Sequence, residues 1–551
     1  MHWRNFLLSR RTLHVLLVLN GVATIGVFIA FRNALGGDYH SYVDLADGIL
    51  HGNYSMWWFL PVNIPDTFRN PGYPLFLTPF RYLTKSVLPV QIAQLLLYAG
   101  SVLLSLKIIR QLGGGIAACN LFLLILLPSI NLPYYNTTIF PEIPCMFVIC
   151  AFVWTDLSRP DNWKKGVLLA LLAGAVFQLR SPMLLFPIAW LITRFLFTAG
   201  RTNRAMAAMF FGLYALTLLP FSLWNLNHHG VFKPTPLEGG GGVAHMGWWS
   251  GKFPGHTEHW YWGNEAGSEM LEFTNVDSIP RNIALYDAEW AGIYRLINPQ
   301  LTNNDTIMLR AHQEGLGLFK TYSTAYVQLR EKLLLDATLN HVLAEPGYTL
   351  YYKTYSALRL WITGIQMDEF HRAPLRGKLV QVYPFLLTFF IFLLAIITIP
   401  WAFFKDRRLM ASSLPLVVWL VYFGTIHIPF VIQARYTIPV RPLLFILVAI
   451  CIERLWGGLA VSRENPTPSD QVPLTHDDTP SLSESIAPGT VARRTAPAPT
   501  DGETPSVKGT TPDRHAGAPP PSCRRHRRSQ KPVHARPGRA RCPAAVQSPG
   551  W

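Results

Sequence analysis

The sequence predicts an all-α polytopic membrane protein, on three grounds: a high share of apolar residues, a low share of charged ones, and the gathering of the apolar residues into long runs. Hydrophobic residues make up 50% of the 551 and charged residues only 15%, with a mean hydropathy of +0.22. That composition belongs to membrane-spanning chains rather than to soluble domains. Runs of roughly 20 residues, enough to carry a helix across about 30 Å of hydrocarbon, lie near 12–31, 87–106, 114–132, 138–155, 166–179, 182–198, 205–226, 378–403, 409–430 and 437–457.

The net charge of +16 does not point to nucleic acid, because the basic residues fall in short loops between runs and in the tail rather than along one stripe. Their placement follows the positive-inside rule. Arg4, Arg10 and Arg11, Lys107 and Arg110, Arg159 with Lys164 and Lys165, Arg201 and Arg204, and Lys405 with Arg407 and Arg408 all occupy alternate loops. Both termini are therefore expected in the cytoplasm, and the first apolar run is expected to be a retained span rather than a cleaved signal. Of the six cysteines, Cys119, Cys145, Cys150 and Cys451 lie in apolar runs and Cys523 and Cys542 in the tail, which is no disulfide framework and no zinc-type pattern.

Taken in order, residues 1–226 form an N-terminal transmembrane module whose first outer loop, 32–86, is the most informative stretch. Asp38, Tyr42, Leu45, Ala46 and Ile49 recur at spacings of three and four, one face of a short amphipathic helix that Gly52 can close in the left-handed conformation. Asp38 can cap that helix, and Asp44 and Asp47 read as its solvated surface. Trp57, Trp58, Asp66, Arg69 and the turn Pro71-Gly72-Tyr73-Pro74 follow. Residues 227–377 form a large outer segment, partly helical over 306–345, with Gly239–Gly242 as a flexible hairpin or substrate-side loop. Residues 378–460 supply the last transmembrane helices. Residues 461–551, rich in Pro, Ser, Thr, Ala and Arg, are expected to be a disordered cytoplasmic tail.

This topology brings Asp38, Arg69, Glu142, Arg180 and Arg435 to one face, near the hydrocarbon boundary. Ionisable groups there are costly and usually face a cavity or a partner. A carboxylate with several guanidiniums suits acid–base chemistry beside a phosphate, whose oxygens match the rigid donor fork of arginine. The bland alternatives are a helix cap for Asp38 and interfacial snorkelling for Arg69 and Arg435. His256, Glu258 and His259 lack a second matching cluster, so no metal ligand set is assigned. The glycines at 239–242 are not followed by Gly-Lys-Ser/Thr and form no nucleotide-phosphate loop.

These residues, in this order, resemble the family 39 glycosyltransferases, the GT-C type membrane enzymes that include protein O-mannosyltransferases and the lipid A aminoarabinose transferase. The likeness rests on Asp38-Tyr-His-Ser-Tyr42 continuing to Leu45-Ala46 and Gly52, on Arg69-Asn-Pro-Gly-Tyr-Pro, on Glu142 opening the fourth span, on Arg180, and on Arg435-Tyr436-Thr-Ile-Pro439. It departs from the family where Tyr39 stands in place of the second acid of an Asp-Glu pair, and where Asn70-Pro71-Gly72 replaces His-Pro-Pro. The resemblance implies an enzyme of the cell membrane that acts on the extracytoplasmic side, a bacterial inner membrane being the expected setting. It would transfer a sugar from a polyprenyl-phosphate donor to an acceptor hydroxyl on a lipid, glycan or protein, with inversion. Asp38 would be the catalytic base, Arg69, Arg180 and Arg435 would hold the donor phosphate, and Tyr42, Tyr73, Glu142 and Tyr436 would line the substrate site. No cofactor is called for, and a divalent metal is left open by the resemblance. The alternative reading is a non-catalytic transporter or lipid-linked sugar flippase. That class is expected to show repeated halves and polar residues at the bilayer midplane, and the sequence displays neither.

Overall fold

The computed structural model describes residues 2–197, 203–252, 279–365, 370 and 373–461. His256, Glu258, His259 and the tail from 462 onward lie outside the described residues. The chain divides into two units, Met1–Glu464 with Ser548–Trp551, and Asn465–Gln547. Every described residue belongs to the first.

The described residues form helices and no strand. Each of the ten apolar runs contains one: Arg10–Phe31, Leu88–Gln111, Ile116–Leu126, Glu142–Ser158, Trp163–Leu179, Phe186–Phe197, Arg204–His229, Leu375–Lys405, Leu414–Ile426 and Arg441–Val461. Among the described residues, four are long and apolar enough to cross a membrane on length and composition: Arg10–Phe31, Leu88–Gln111, Arg204–His229 and Leu375–Lys405. The protein is accordingly an integral membrane protein.

Some runs that look like full spans in the sequence are shorter as helices, and proline is the reason. Ile116–Leu126 has 11 residues and Leu414–Ile426 has 13, rising about 17 and about 20 Å at 1.5 Å per residue. Pro128 lacks the N–H that would continue the first helix past Leu127, and the second has Pro415 in its first turn and Pro429 just beyond its end. The run 182–198 likewise begins as a 3-10 turn, Ser181–Leu185, before Phe186.

The core centres on Glu142–Ser158, which packs against Leu88–Gln111 and Trp163–Leu179, the latter in turn against Arg204–His229. Its Ile143, Met146, Ile149, Phe152 and Val153 are all fully buried, as befits a helix that is apolar on every side. Phe152 meets Trp419 edge to face, and Trp419 stacks on Phe186 with centroids 3.5 Å apart.

The first loop folds as its periodicity predicts. Tyr39–Leu50 is a helix closed by Gly52 at φ 77°, and it buries Tyr42, Leu45 and Ala46. It packs on Gly72–Leu83. Asp47 is not solvated surface: Arg81 Nε and Nη2 reach its two oxygens at 2.9 and 2.7 Å, and both side chains are buried. Spacing within one helix cannot show that a guanidinium on the next helix will cover a carboxylate.

The segment 227–377 contains Ile279–Ile297, Asn303–Gln313, Thr324–Ala344 and Pro346–Arg359. Asn303–Gln313 opens with a reciprocal capping box between Thr302 and Asp305. Its Met308 and Ala311 pack with Leu45, Met56, Trp57 and Ile64 of the first loop. Gly239–Gly242 is not a free hairpin. Gly241 starts the helix Gly241–Trp249, lies so close to Thr324–Ala344 that a Cβ would sit 1.9 Å from the Glu331 carbonyl oxygen, and is followed by Gly242, whose N–H donates to Glu331 Oε2. Gly241 serves close helix packing, while Gly239 takes a left-handed φ of 94° that favours glycine.

Candidate active site

Asp38 occupies the N-cap position of Tyr39–Leu50, yet its side chain makes no capping hydrogen bond. The carboxylate instead faces two arginines from distant parts of the chain. Oδ1 lies 3.1 Å from Arg69 Nη2, and Oδ2 accepts from Arg435 Nη2, also at 3.1 Å. Burial alone pushes the Asp38 carboxyl up, but Arg69 and Arg435 more than offset it and hold the group below the ordinary carboxylate value. In the resting site it is an anion, and a weakly basic one.

Arg69 is placed by a set of local contacts. Asp66 Oδ2 accepts from the backbone N–H groups of Phe68 and Arg69 at 3.0 and 2.7 Å, and Tyr54 Oη donates to the Arg69 carbonyl. The guanidinium carbon lies 4.3 Å from the Phe68 ring centroid and 4.6 Å from that of Tyr42, and Nη1 donates to Tyr42 Oη at 3.3 Å. Asn70 and Gly72 anchor the segment to the end of Trp163–Leu179. Asn70 Nδ2 donates to the Phe177 carbonyl, and a Cβ on Gly72 would fall 2.5 Å from Gln178 backbone atoms. Arg69 is thereby tied to the helix whose next residue is Arg180.

Glu142 begins Glu142–Ser158, and its Oε1 is 3.8 Å from Arg180 Nη1, with both side chains buried. Tyr436 connects this pair to the first. The Arg180 guanidinium stands 5.2 Å and that of Arg435 5.9 Å from its ring centroid, and His427 stacks on it at 4.9 Å. Arg435 also lies over Phe140 at 4.9 Å. Tyr73 is fully buried, edge-on to Tyr42 at 4.9 Å, and its hydroxyl donates to Gln94 Oε1. It supports Tyr42 and has its hydroxyl already engaged.

All of the site residues expected from the sequence are thus joined by contacts: Asp38, Tyr42, Arg69, Tyr73, Glu142, Arg180, Arg435 and Tyr436. The three guanidiniums outnumber the two carboxylates, so the buried cluster carries a net positive charge suited to an anion. Arg69 Nε and Arg180 Nη1 are buried donors with no hydrogen-bond partner among the described residues, which leaves capacity for added acceptor oxygens.

Two further residues support the site in ways that spacing along the chain does not reveal. Asp66 holds the Arg69 backbone; its burial pushes the carboxyl up to about 7 despite the two N–H donors. Arg441 is buried and donates from Nε to Thr437 Oγ1 and from Nη2 to the Ala434 carbonyl, bracing the 3-10 turn Ala434–Val440 that carries Arg435. An arginine six positions after Arg435, immediately before Pro442, was the available signal for it.

Fold and site together define the class: an all-α integral membrane protein with a buried cluster of arginines and carboxylates among the segments that link its helices. No protein-family model and no curated protein matches the sequence. Among solved structures, the chain is similar to the Archaeoglobus fulgidus oligosaccharyltransferase tethered with an acceptor peptide. That match has 14% identity and a TM-score of 0.42, covering 84% of this chain and 52% of that one. It is similar to the Archaeoglobus fulgidus oligosaccharyltransferase AglB in complex with an inhibitory peptide and a dolichol-phosphate, at 14% identity and a TM-score of 0.40, with coverages of 84% and 52%. ArnT from Cupriavidus metallidurans bound to undecaprenyl phosphate is a further match, at 13% identity and a TM-score of 0.33, covering 85% of this chain and 82% of that one. The chain spans about half the length of the archaeal oligosaccharyltransferase, 52%.

Proposed function

We propose that the protein is a glycosyltransferase that moves a sugar from a polyprenyl-phosphate donor to an acceptor hydroxyl on the extracytoplasmic side of a cell membrane. The observation that carries this reading is the Asp38 carboxylate held between Arg69 and Arg435, each 3.1 Å away. A lipid phosphate entering the cluster competes with Asp38 for those guanidiniums, which bind phosphate oxygens through two parallel donors. As the arginines turn to the phosphate, the influence that depresses the Asp38 pKa weakens and the carboxylate becomes a better base.

Asp38 then takes the proton of the acceptor hydroxyl as its oxygen bonds to the anomeric carbon. The bond from that carbon to the phosphate oxygen breaks, its electron pair leaves with the polyprenyl phosphate, and the configuration inverts. Arg69 and Arg435 stabilise the charge growing on the leaving phosphate, with Arg180 as a third cation. Electrostatic stabilisation of this kind is commonly the largest catalytic contribution.

The test is reconstitution of the full chain in liposomes with a panel of radiolabelled polyprenyl-phosphate sugars and a cell-envelope extract as acceptor. Label is expected to pass to an acceptor with the wild type and not with Asp38→Asn. Donor binding, or its movement between leaflets, with no breakage of the sugar–phosphate bond would replace this reading with a translocation function.

A further inference from the structure

Away from the Asp38 cluster, three helices of the segment 227–377 converge on a different set of side chains. His245 comes from Gly241–Trp249, Glu289 from Ile279–Ile297 and His341 from Thr324–Ala344. Their ligating atoms all lie within 4.8 Å of one another. His245 Nε2 is 2.8 Å from Glu289 Oε2, and His341 Nε2 is 2.8 and 3.1 Å from Glu289 Oε1 and Oε2.

We infer that His245, Glu289 and His341 form a binding site for a zinc-class divalent cation. Two imidazole nitrogens and one carboxylate are a ligand set that zinc takes in tetrahedral geometry, with the fourth position filled by water or another oxygen. Zinc–ligand bonds of about 2.0–2.1 Å place tetrahedral ligand atoms roughly 3.4 Å apart. The His–Glu separations of 2.8–3.1 Å therefore need only a slight outward relaxation to admit an ion, and all the ligating atoms already lie within 4.8 Å of one another.

The surroundings are built to hold these rings still. Trp248 stacks on His341, centroids 4.2 Å apart and planes 12° from parallel, and Tyr286 lies 5.7 Å from His245. Trp249 Nε1 donates to Glu289 Oε2 at 3.0 Å, a hydrogen bond that orients a ligating carboxylate. Trp249 Nε1 also approaches His245 Nε2 at 3.2 Å. That nitrogen cannot both accept from the indole and donate to Glu289, whereas an ion between the imidazole and the carboxylate uses both lone pairs. His245 Nδ1 is buried with no hydrogen-bond partner among the described residues, so the ring's only polar engagements are on the Nε2 side. The apolar cluster around the site, with Trp248, Trp249, Tyr286, Trp290 and Leu334, is separate from the one that contains Tyr42 and Tyr73. An ion here would clamp three helices together.

Untagged full-length protein, stripped with a chelator, is titrated with zinc in a calorimeter and with cobalt while visible absorption is recorded. One tightly bound equivalent and an intense tetrahedral cobalt band are expected. Glu289→Gln, His245→Asn and His341→Asn should each weaken zinc by at least about 10-fold, since even losing a residue that only hydrogen-bonds a ligand costs that much, and should abolish the band. Wild-type protein that binds no stoichiometric zinc and shows no tetrahedral cobalt band overturns the inference and leaves a hydrogen-bonded His–Glu–His triad; this outcome decides even if the variants fail to fold. Undiminished binding in folded variants overturns it equally. Sugar transfer is not the readout, so this site and the proposed transferase activity stand or fall separately.

Discussion

The Asp38 carboxylate accepts a hydrogen bond at 3.1 Å from the guanidinium of Arg435, a residue 397 positions further along the chain. One partner precedes a short helix of the first loop and the other sits in a 3-10 turn before the last helix. The carboxylate therefore responds to whatever draws Arg435 away.

Asp38→Asn is expected to lower sugar transfer on the order of 100-fold or more, the usual scale for losing a general base. The amide keeps the shape of the side chain but cannot accept the proton. Turnover and donor binding should be measured at matched protein amounts, since binding is expected to persist with the arginines released from their carboxylate. Transfer within a few-fold of the wild type would remove Asp38 from the chemistry.

Arg69→Ala and Arg180→Ala should each reduce transfer at limiting donor by roughly 100- to 1000-fold, the range for deleting one electrostatic stabiliser. Arg69→Lys should recover only part of the loss, because the ammonium restores charge but neither the two-pronged donor nor the stacking between Phe68 and Tyr42. Steady-state kinetics across donor concentrations provide the check, and equal rates for the lysine variant and the wild type would reduce Arg69 to a point charge.

Asp47 and Arg81 test the fold of the first loop without touching the chemistry. Removing one member of a buried ion pair leaves an uncompensated charge, at a cost of about 3–5 kcal/mol. Asp47→Ala should thus unfold at distinctly lower temperature, while the double change Asp47→Leu with Arg81→Met should recover most of the loss. A thermal scan of the solubilised proteins decides, and an unshifted midpoint for Asp47→Ala would mean that the pair contributes little.

The buried carboxyl of Asp66 makes stability depend on pH. Its folded value of about 7 stands above the ordinary 3.8, so the folded state favours the protonated form. This contribution is greatest below 3.8 and is lost as pH rises toward about 7. Asp66→Asn keeps an oxygen for the Phe68 and Arg69 N–H groups and does not ionise. Its midpoint should fall less than that of the wild type as pH rises from the acid side to above about 7; parallel curves would show that Asp66 does not titrate there.

Much of this protein is legible in its sequence, for a local reason. Apolar runs reveal where helices form because burial of a helix depends on residues close together in the chain, and Tyr42, Leu45 and Ala46 mark their helix face by spacing alone. The polar members of the site also stand out, since a charge beside an apolar run is costly enough to be noticed. What the tertiary structure decided is who faces whom. Asp38 abandons its capping role for Arg69 and Arg435, Glu142 takes Arg180, Asp47 disappears beneath Arg81, and His245, Glu289 and His341 meet from three separate helices. Ion pairs and ligand sets depend on distances of a few ångströms between residues far apart in the chain, and those distances are set by how the helices pack.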